Sequence, residues 1–408
     1  MPPFPFRRPV SRRSFLGGSL ALSASLPAGG LFAGGNDSIR VGVVGCGGRG
    51  TGAALQAAAA DRGVVVTAIG DLFADQAATS AAILAGQLGR RFACPAERRF
   101  FGVDAGLEVI GSDVDVVILA TPPHLRPAHV AAAVAAGRHL SCETPAAVDA
   151  AGVRSILATA TEARLRGLSL VAGLAARRDG ATAATIDRVR RGDIGRPLRG
   201  VVDARLGLAW RRTPLASWTP AEDRDRNWIM WPAMSGGDFV EHLVPAIDRA
   251  FWAFGDEQPV AAVPRPSAVA LPSRPVGRGE SATAVTFVFA DGRTLDAAVE
   301  RRAGIATGTV ERILGSGGEA DLRRHVVAGM PAAGATLPAA CPVDGLAASV
   351  AALVRAVRSG TRIDDADILC RATLAAILGR TAAGDGREVA WEELAGGDGC
   401  RTATTDTV

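Results

Sequence analysis

The residues best suited to chemistry begin with a glycine turn, VGVVGCGGRG, near the start of the chain. Gly45, Gly47 and Gly50 fit the pattern G-x-G-x-x-G. The first glycine allows a tight turn, the second admits a pyrophosphate, and the third lets helix and strand pack closely. Free N–H groups at the start of the following helix favour the phosphates. The turn therefore predicts a dinucleotide site, which includes Gly48 and Arg49.

An acidic residue at the end of the next strand indicates which dinucleotide is bound. The strand VVVTAIGD ends at Asp71, which lies 21 residues after Gly50. This is near the spacing of about 20 residues at which a carboxylate binds the ribose 2′-hydroxyl. No arginine follows Asp71 directly to take a 2′-phosphate. The sequence therefore predicts NAD as the cofactor and disfavours NADP.

Two later strand ends add polar residues to this site. VDVVILATPP ends with Thr121 and Pro122, followed by His124, and RHLSCE ends at Glu143. Ligands of parallel sheets bind outside the carboxyl ends of the strands, so we expect these residues to line the cofactor site. His124 either contacts the cofactor or packs in the core. Glu143 and Pro145 are expected to open a helix.

The elements that must position these residues alternate between strands and helices. Such alternation predicts a doubly wound parallel sheet, a Rossmann domain, over residues 36–145. Further on, LRGVVDARLGL, a hairpin with its turn at Asp291-Gly292, and the pair GTVERILGSGGEADL have strand patterns. The sequence therefore predicts an α/β chain with a second domain, which we place at residues 146–395, followed by a tail at 396–408.

Residues 1–35 have the character of an export signal. Arg12 and Arg13 precede Phe15, Leu16 and a short apolar run, which is typical of a twin-arginine signal. We therefore expect the folded protein to be exported to the periplasm or cell envelope. The apolar run is too short for a stable membrane span, so an uncleaved signal is the only feature expected to attach the chain to a membrane.

The composition excludes some classes of function. The chain has 408 residues, a net charge of +4, 48% hydrophobic residues and 21% charged residues, a globular composition long enough for two domains. No basic patch alternates with aromatic residues, so a nucleic-acid partner is not expected. No spacing of His, Cys and Asp predicts a metal site. The chain has neither lysine nor tyrosine, so neither can act as a general acid or base.

Together these motifs resemble the Gfo/Idh/MocA family of NAD(P)-dependent oxidoreductases, which act mostly on sugars and cyclitols. The resemblance also rests on GDIGRP, DRNWIMWPAMSGGDFVEHLVPAIDRAFWAFG and TRIDDADILCRATLAAILGRTA, and spans residues 38–395. It implies an N-terminal Rossmann sheet and a C-terminal α/β domain with a large, mostly antiparallel open sheet for substrate binding and oligomerisation. A sugar-like ligand and a homo-oligomer are implied as well.

Two positions depart from the family pattern. The family's Glu-Lys-Pro triplet falls on residues 143–145, with Thr144 in place of lysine, and its histidine falls on Pro245. Hydride transfer from an alcohol needs a group that accepts the hydroxyl proton. Both usual proton-handling side chains are therefore missing, and His242 and Glu241 are the candidates that remain.

The position of His242 depends on the local helix. If residues 238–254 form one helix, His242 and Pro245 are i,i+3 neighbours about 5–6 Å apart. Proline clashes with the carbonyl four residues back and disfavours a helical residue before it. The helix is therefore expected to run through with a kink or to start at Pro245, and His242 is either a base or a packing residue.

Four residues are candidates for substrate contact. The resemblance implies this role for Asn227, Trp228 and Asp248, although tryptophan also packs in cores. Arg177 follows the strand LSLVAG and either holds a substrate group or stays solvated. Three functions remain open: hydride transfer between a sugar or cyclitol and NAD(P); a catalytically degenerate, dinucleotide-dependent sugar-binding or scaffold protein without turnover; or a structural partner subunit of an active paralogue.

Overall fold

The computed structural model describes residues 38–266, 280–329 and 345–396. The predicted signal with Arg12 and Arg13, and the tail beyond residue 396, lie outside the described residues, so export remains a prediction. Within the described ranges, no helix is long and apolar enough to cross a membrane.

The first sheet has six parallel strands in the order β3-β2-β1-β4-β5-β6. This is the predicted doubly wound arrangement, and the strand order reverses between β1 and β4, where ligands of such sheets bind. The sheet extends past residue 145 because β6 pairs with β5. Its strands are β1 Ile39–Val44, β2 Val64–Asp71, β3 Arg99–Phe101, β4 Val116–Leu119, β5 His139–Cys142 and β6 Leu170–Ala172.

Helices cover both faces of this sheet, and one comes from the far end of the chain. The alanines of α1 leave room for Leu353 and Val354 of α10 to pack against Ala54 and Ala57 in one core cluster. The C-terminal part of the chain therefore helps to hold the first domain. These helices are α1 Gly48–Ala60, α2 Ala74–Leu88, α3 Ala105–Gly111, α4 Arg126–Ala135, α5 Ala150–Leu165 and α10 Gly345–Ser359.

The helix expected after Glu143 begins later than predicted. Residues 143–149 are not helical, and α5 starts at Ala150. The reason is its cap: the Asp149 carboxylate accepts a hydrogen bond from the Gly152 N–H at 2.7 Å, which satisfies an N–H of the first turn. The residues after β5 therefore form a loop at the edge of the sheet.

The second sheet has eight strands in the order β13-β12-β11-β7-β10-β9-β8-β14. It is mostly antiparallel, as the resemblance implied, and only β7 and β10 pair in parallel. The predicted hairpin joins β9 to β10, with Gly292 at φ 85° in its turn. The strands are β7 Pro197–Leu206, β8 Ala261–Pro264, β9 Ser281–Val288, β10 Thr294–Arg301, β11 Gly308–Gly315, β12 Gly318–Asp321, β13 Val326–Gly329 and β14 Val389–Ala390.

A long helix, α9 Gly237–Ala253, packs against β7, β10 and β11 of the second sheet and passes through Pro245 without ending. Its apolar residues, among them Phe239, Leu243 and Phe251, pack with α11 on the inner face of the second sheet. The helix therefore does not start at the proline. The remaining helices are α6 Gly180–Arg190, α7 Pro220–Arg226, α8 Pro232–Ser235, α11 Ala366–Asp385 and α12 Trp391–Ala395.

Candidate functional site

The glycine turn between β1 and α1 has the geometry that its sequence requires. Gly45 has φ +94°, and a Cβ there would lie 2.8 Å from the Ala120 carbonyl. A Cβ on Gly50 would lie 1.9 Å from the Gly45 carbonyl oxygen, so only glycine lets the helix start this close to the strand. A side chain on Gly47 or Gly48 would meet no atom within 4 Å. The backbone of the turn is therefore bare on its open side.

Asp71 closes the turn from the neighbouring strand. Its Oδ2 accepts a hydrogen bond from the Cys46 N–H at 2.7 Å, and its Oδ1 accepts one from the Phe73 N–H at 3.0 Å. Burial raises the pKa of the Asp71 carboxyl, while the two N–H groups oppose the rise. The same carboxylate therefore fixes the glycine turn and presents its remaining lone pairs to the cleft.

A cleft of about 860 Å³ runs along the carboxyl ends of β1, β2 and β4. Almost all of the residues predicted to bind the cofactor lie together on its wall. Gly50 faces inward against Gly45 instead. Glu143 lines a separate, smaller cavity. The predicted residues on the wall of the cleft are Gly45, Gly47, Gly48, Arg49, Asp71, Thr121, Pro122 and His124.

The opposite wall of the cleft comes from residues 207–236, which join β7 to α9 and which we call the covering segment. Trp210 and Trp228 pack edge to face, with ring centroids 6.4 Å apart. Trp210 and Trp231 are each about half exposed, at 49% and 47%. The cleft is therefore enclosed between the first domain and an aromatic, arginine-containing segment of the second.

Two histidines occupy the β4 end of the cleft. His124 Nδ1 lies 3.2 Å from the Met234 carbonyl oxygen, which joins the first domain to the covering segment. His129 Nδ1 lies 3.3 Å from Thr121 Oγ1, and burial lowers the pKa of His129 to about 4. Both imidazoles are held by neighbours, and His129 is neutral near pH 7.

The smaller cavity has a volume of about 170 Å³. Thr144 and Pro245, which stand at the family's lysine and histidine positions, both line it, together with Glu143 and Asp248. Arg49 lines this cavity as well as the cleft. The two altered positions therefore face the same space, beside the start of α1.

In the described part of the chain, two carboxyl groups each have one buried oxygen without a hydrogen-bond partner: Glu143 lines the smaller cavity, whereas Glu241, on the same face of α9 as Pro245, lines neither cavity. Glu143 Oε1 and Glu241 Oε2 are buried and have no partner among the described residues. Burial raises the pKa of Glu143, and the Arg49 guanidinium, 3.9 Å away, opposes the rise. Burial also raises the pKa of Glu241 to about 8, with Asp238 and Glu143 adding to the rise. Glu241 therefore holds a proton to higher pH than an ordinary carboxyl.

His242 points toward the second sheet. Its Nε2 lies 2.7 Å from Arg301 Nη2 on β10, so this nitrogen accepts a hydrogen bond and the proton sits on Nδ1. Arg301 also donates to Asp238 at 2.7 and 2.9 Å. Burial and the Arg301 charge lower the pKa of His242. His242 lines neither the cleft nor the smaller cavity.

The predicted substrate residues Arg177 and Asp248 are paired with each other. Both Asp248 oxygens accept hydrogen bonds from Arg177, at 2.7 and 2.9 Å. Arg177 also reaches Asp256 and stacks over the Trp252 ring at 4.9 Å. Asp248 lines the smaller cavity, whereas Arg177 lines neither cavity. The structure therefore places Arg177 in a buried ion-pair cluster.

Asn227 and Trp228 both lie in the covering segment but face different ways. Trp228 lines the cleft. Asn227 is 2% exposed, and its amide accepts from the Arg212 N–H at 2.7 Å and donates to the Asp223 carboxylate at 2.7 Å. Asn227 lines neither cavity, and it holds the two halves of the covering segment together.

Several cleft residues were missed by sequence reasoning. Phe73 and Val103 come from loops of the first domain, Gln76 from α2, Gly106 from α3, and Arg226 from the covering segment. The pairing of Arg226 with Asp75 spans 151 residues, so no local pattern predicts it. The described residues hold no group of three or more His, Cys, Asp or Glu side chains placed to bind a metal ion.

Comparison with known proteins identifies the first domain. Residues 39–170 match the Gfo/Idh/MocA model, an oxidoreductase family with an NAD-binding Rossmann fold. Over these residues the Rossmann domain is similar to that family. The match confirms the resemblance drawn from the glycine turn and the later strand ends. No curated protein sequence matches the chain.

Solved structures share the fold across both domains. A myo-inositol 2-dehydrogenase from Lactobacillus plantarum has a TM-score of 0.66 at 19% identity, covering 86% of this chain and 99% of its own. Levoglucosan dehydrogenase in complex with NADH has a TM-score of 0.65 at 19% identity, with the same two coverages, 86% and 99%. Aldose-aldose oxidoreductase from Caulobacter crescentus, complexed with glycerol, also has a TM-score of 0.65 at 19% identity, covering 86% of this chain and 99% of its own. At this identity the similarity shows the fold.

Proposed function

We propose that the protein is an NAD-dependent oxidoreductase that transfers hydride between the nicotinamide and an alcohol carbon of a sugar or cyclitol. The observation that carries the proposal is the bare glycine turn, which opens on the 860 Å³ cleft beside Asp71. The family match supports it. Similar structures named as a levoglucosan dehydrogenase with NADH and a myo-inositol dehydrogenase suggest the substrate class.

The residues of the cleft fit a dinucleotide. α1 begins at Gly48 with no side-chain cap and no acidic residue in its first turn, so its N–H groups are available to phosphate oxygens. Gly47 and Gly48 leave the approach open. Asp71 would take the ribose hydroxyls, which favours NAD. When bound, NAD supplies the ring that accepts the hydride.

Alcohol oxidation also releases a proton, and we assign its acceptor to Glu241. On α9, Glu241, Pro245 and Asp248 are spaced i, i+4 and i+7, which places them on one helix face, and the last two line the smaller cavity. The Glu241 Oε2 has no partner among the described residues. A proton acceptor works best when its pKa is near the working pH, and the pKa of Glu241 is about 8.

The test measures NADH formation from NAD over a panel of aldoses, anhydrosugars and cyclitols. We expect Glu241→Gln to lower kcat by about 10²–10⁴-fold, the usual contribution of a general acid–base group, with NADH affinity unchanged. His242→Gln is the matched control because it is the next residue on α9 but faces the second sheet. A wild-type protein that binds NADH and sugars without turnover would support the degenerate, scaffold-type alternative.

We also propose that the protein is exported by the twin-arginine route. The support is the sequence around Arg12 and Arg13, which lies outside the described residues. Changing both arginines to glutamine is expected to keep the protein in the cytoplasm, as measured by cell fractionation. Equal export of this variant would contradict the proposal.

We further propose a homo-oligomer that uses the outer face of the second sheet. Val310 on β11 pairs with Asp203 on β7, and Asp203 is on the same face of β7 as Arg199, so both side chains point to this outer face. Their exposed fractions are 53% for Arg199 and 40% for Val310. Analytical ultracentrifugation of wild type and Val310→Arg tests it. A monomeric wild-type protein would exclude the contact.

A further inference from the structure

We propose that Arg226 is a positioning residue that fastens the covering segment over the dinucleotide site, so that bound cofactor leaves slowly and stays with the protein between reactions. The inference rests on the proposed function for the identity of the ligand. It concerns the rate of cofactor release, which can be measured without any substrate.

The fastening is built around the Arg226 guanidinium. Its Nη1 and Nη2 donate to the two carboxylate oxygens of Asp75, at 3.0 and 2.9 Å, in a bidentate pair with α2 of the first domain. Its Nε donates to Glu222 at 2.8 Å within the covering segment. The guanidinium also lies over the rings of Phe73, at 3.9 Å, and Trp218, at 4.8 Å. One side chain therefore joins both walls of the cleft.

Burial makes this contact stronger than an ordinary surface ion pair. The Arg226 side chain is only 9% exposed, although Asp75 is 60% exposed. Exposed ion pairs contribute little because water screens them and the side chains must be ordered. A guanidinium that is stacked on aromatic faces and shielded from water stabilises the contact more. The hydrogen bonds to Arg226 lower the pKa of Asp75, so Asp75 stays ionised to lower pH than an ordinary carboxyl.

The covering segment is attached at a second point, near the other end of the cleft. There the His124 imidazole contacts the Met234 carbonyl oxygen across the domains at 3.2 Å. Between the two attachments, Asn227 ties the Arg212 backbone to Asp223. The segment is therefore held to the first domain at two points and tied internally by Asn227.

This arrangement sets the route by which a cofactor leaves. Phe73 and Arg226 both line the cleft, as do Asp71 and the glycine turn. A dinucleotide that contacts the turn and Asp71 lies between the first domain and the covering segment. Its release requires the segment to move away, and the contacts of Arg226 with Asp75 and Phe73 oppose that movement. Removing them should raise the release rate more than the association rate.

The experiment measures release of NADH from preloaded full-length protein. The protein is diluted into lactate dehydrogenase and pyruvate, which oxidise NADH as soon as it is free, and the loss of fluorescence gives the release rate. We expect Arg226→Gln to release NADH about tenfold or more faster, because it loses the bidentate pair with Asp75 and the stacking on the aromatic rings. Arg226→Lys keeps the charge but not the bidentate pair, so its release rate should lie between those of wild type and Arg226→Gln.

Controls separate fastening from general damage to the fold. Arg188→Gln removes a comparable pair, Arg188 with Asp193 at 2.7 Å, which lies outside both cavities, and should leave release unchanged. Asp75→Asn should accelerate release, and adding it to Arg226→Gln should have little further effect, since the two changes break one contact.

The outcomes keep the two proposals apart. If the wild type does not bind NADH, the proposed function fails. If it binds NADH and Arg226→Gln releases it at the wild-type rate, the fastening is wrong while the oxidoreductase proposal stands. Equal acceleration by Arg226→Gln and Arg188→Gln, or additive effects of Arg226→Gln and Asp75→Asn, would also overturn the fastening.

Discussion

The two ends of the site are built in different ways. At the glycine turn, close backbone approaches decide the geometry, because a Cβ on Gly45 or Gly50 would collide with carbonyl groups. At the β5 end, side chains decide it, and Thr144 and Pro245 border an open cavity. A side chain added at Gly45 or Gly50 would disturb the fold, whereas the fold accommodates Thr144 and Pro245. α9 passes through Pro245 without ending. Binding and chemistry are therefore separable in this protein.

The largest expected effect comes from restoring lysine and histidine at the β5 end of the site, which we call the altered end. Thr144→Lys and Pro245→His would place two proton-handling groups on the same 170 Å³ cavity. One such group typically contributes about 10²–10⁴-fold in rate, and groups that act together do not multiply. We expect the double variant to oxidise sugars or cyclitols several hundredfold faster than wild type or more, and faster than either single variant.

Steady-state NADH formation by the four proteins, over one sugar panel, measures this effect. NADH affinity serves as the internal control, since the glycine turn is untouched. A wild-type turnover of about 10 s⁻¹, typical of enzymes, would remove the contrast between the two ends. It would mean that Glu241 alone supplies as much proton transfer as the two restored groups would add.

The second-largest effect is expected from a change beside the glycine turn. Asp71→Ala removes the acceptor of the Cys46 and Phe73 N–H groups and, in the proposed complex with NAD, of the ribose hydroxyls. Hydrogen bonds to a charged group contribute about 1.5–3 kcal/mol, so NADH affinity should fall by about 10- to 100-fold. NADPH affinity should fall less because its 2′-phosphate no longer meets a carboxylate.

Fluorescence titration with both dinucleotides tests this expectation. Asp113→Ala is the matched control, because Asp113 pairs with Arg40 at the start of β1, away from the carboxyl ends of the strands. An unchanged ratio of NADH to NADPH affinity in Asp71→Ala would show that Asp71 only braces the turn.

The same contrast explains what the sequence could predict. The glycine turn, Asp71 and the strand ends follow from local patterns, and the first sheet places them together as expected. The start of α5 at Ala150 was missed because Asp149 makes a better cap than the residues after Glu143. The direction of His242 depends on Arg301, and that of Arg226 on Asp75, across 59 and 151 residues. Such long-range pairs leave no local pattern.

A smaller effect concerns stability at the altered end. The pKa of Glu241 rises from 4.5 to about 8 on folding. As the pH rises from 4.5, the unfolded chain loses this proton while the folded chain keeps it. The stability linked to the protonated form is therefore complete below pH 4.5 and lost between 4.5 and 8. Glu241→Gln stays neutral and should gain stability relative to wild type over this window.

Urea midpoints of wild type and Glu241→Gln at several pH values measure that gain. Glu97→Gln, at an exposed position of the first domain, is the control and should track the wild type. A difference between Glu241→Gln and wild type that does not change with pH would show that Glu241 ionises normally in the folded protein.

The smallest effect is expected at His242, and it decides which side chain acts at the altered end. The His242 Nε2 accepts a hydrogen bond from Arg301, and a glutamine amide oxygen can accept the same bond. His242→Gln should therefore leave NADH formation unchanged and alter the free energy of unfolding by less than about 1 kcal/mol. His242→Ala removes the acceptor and should cost about 1 kcal/mol, again without loss of oxidation. If His242→Gln abolishes oxidation while Glu241→Gln does not, the proton acceptor is His242. The helix would then have to turn it from Arg301 toward the cavity during the reaction.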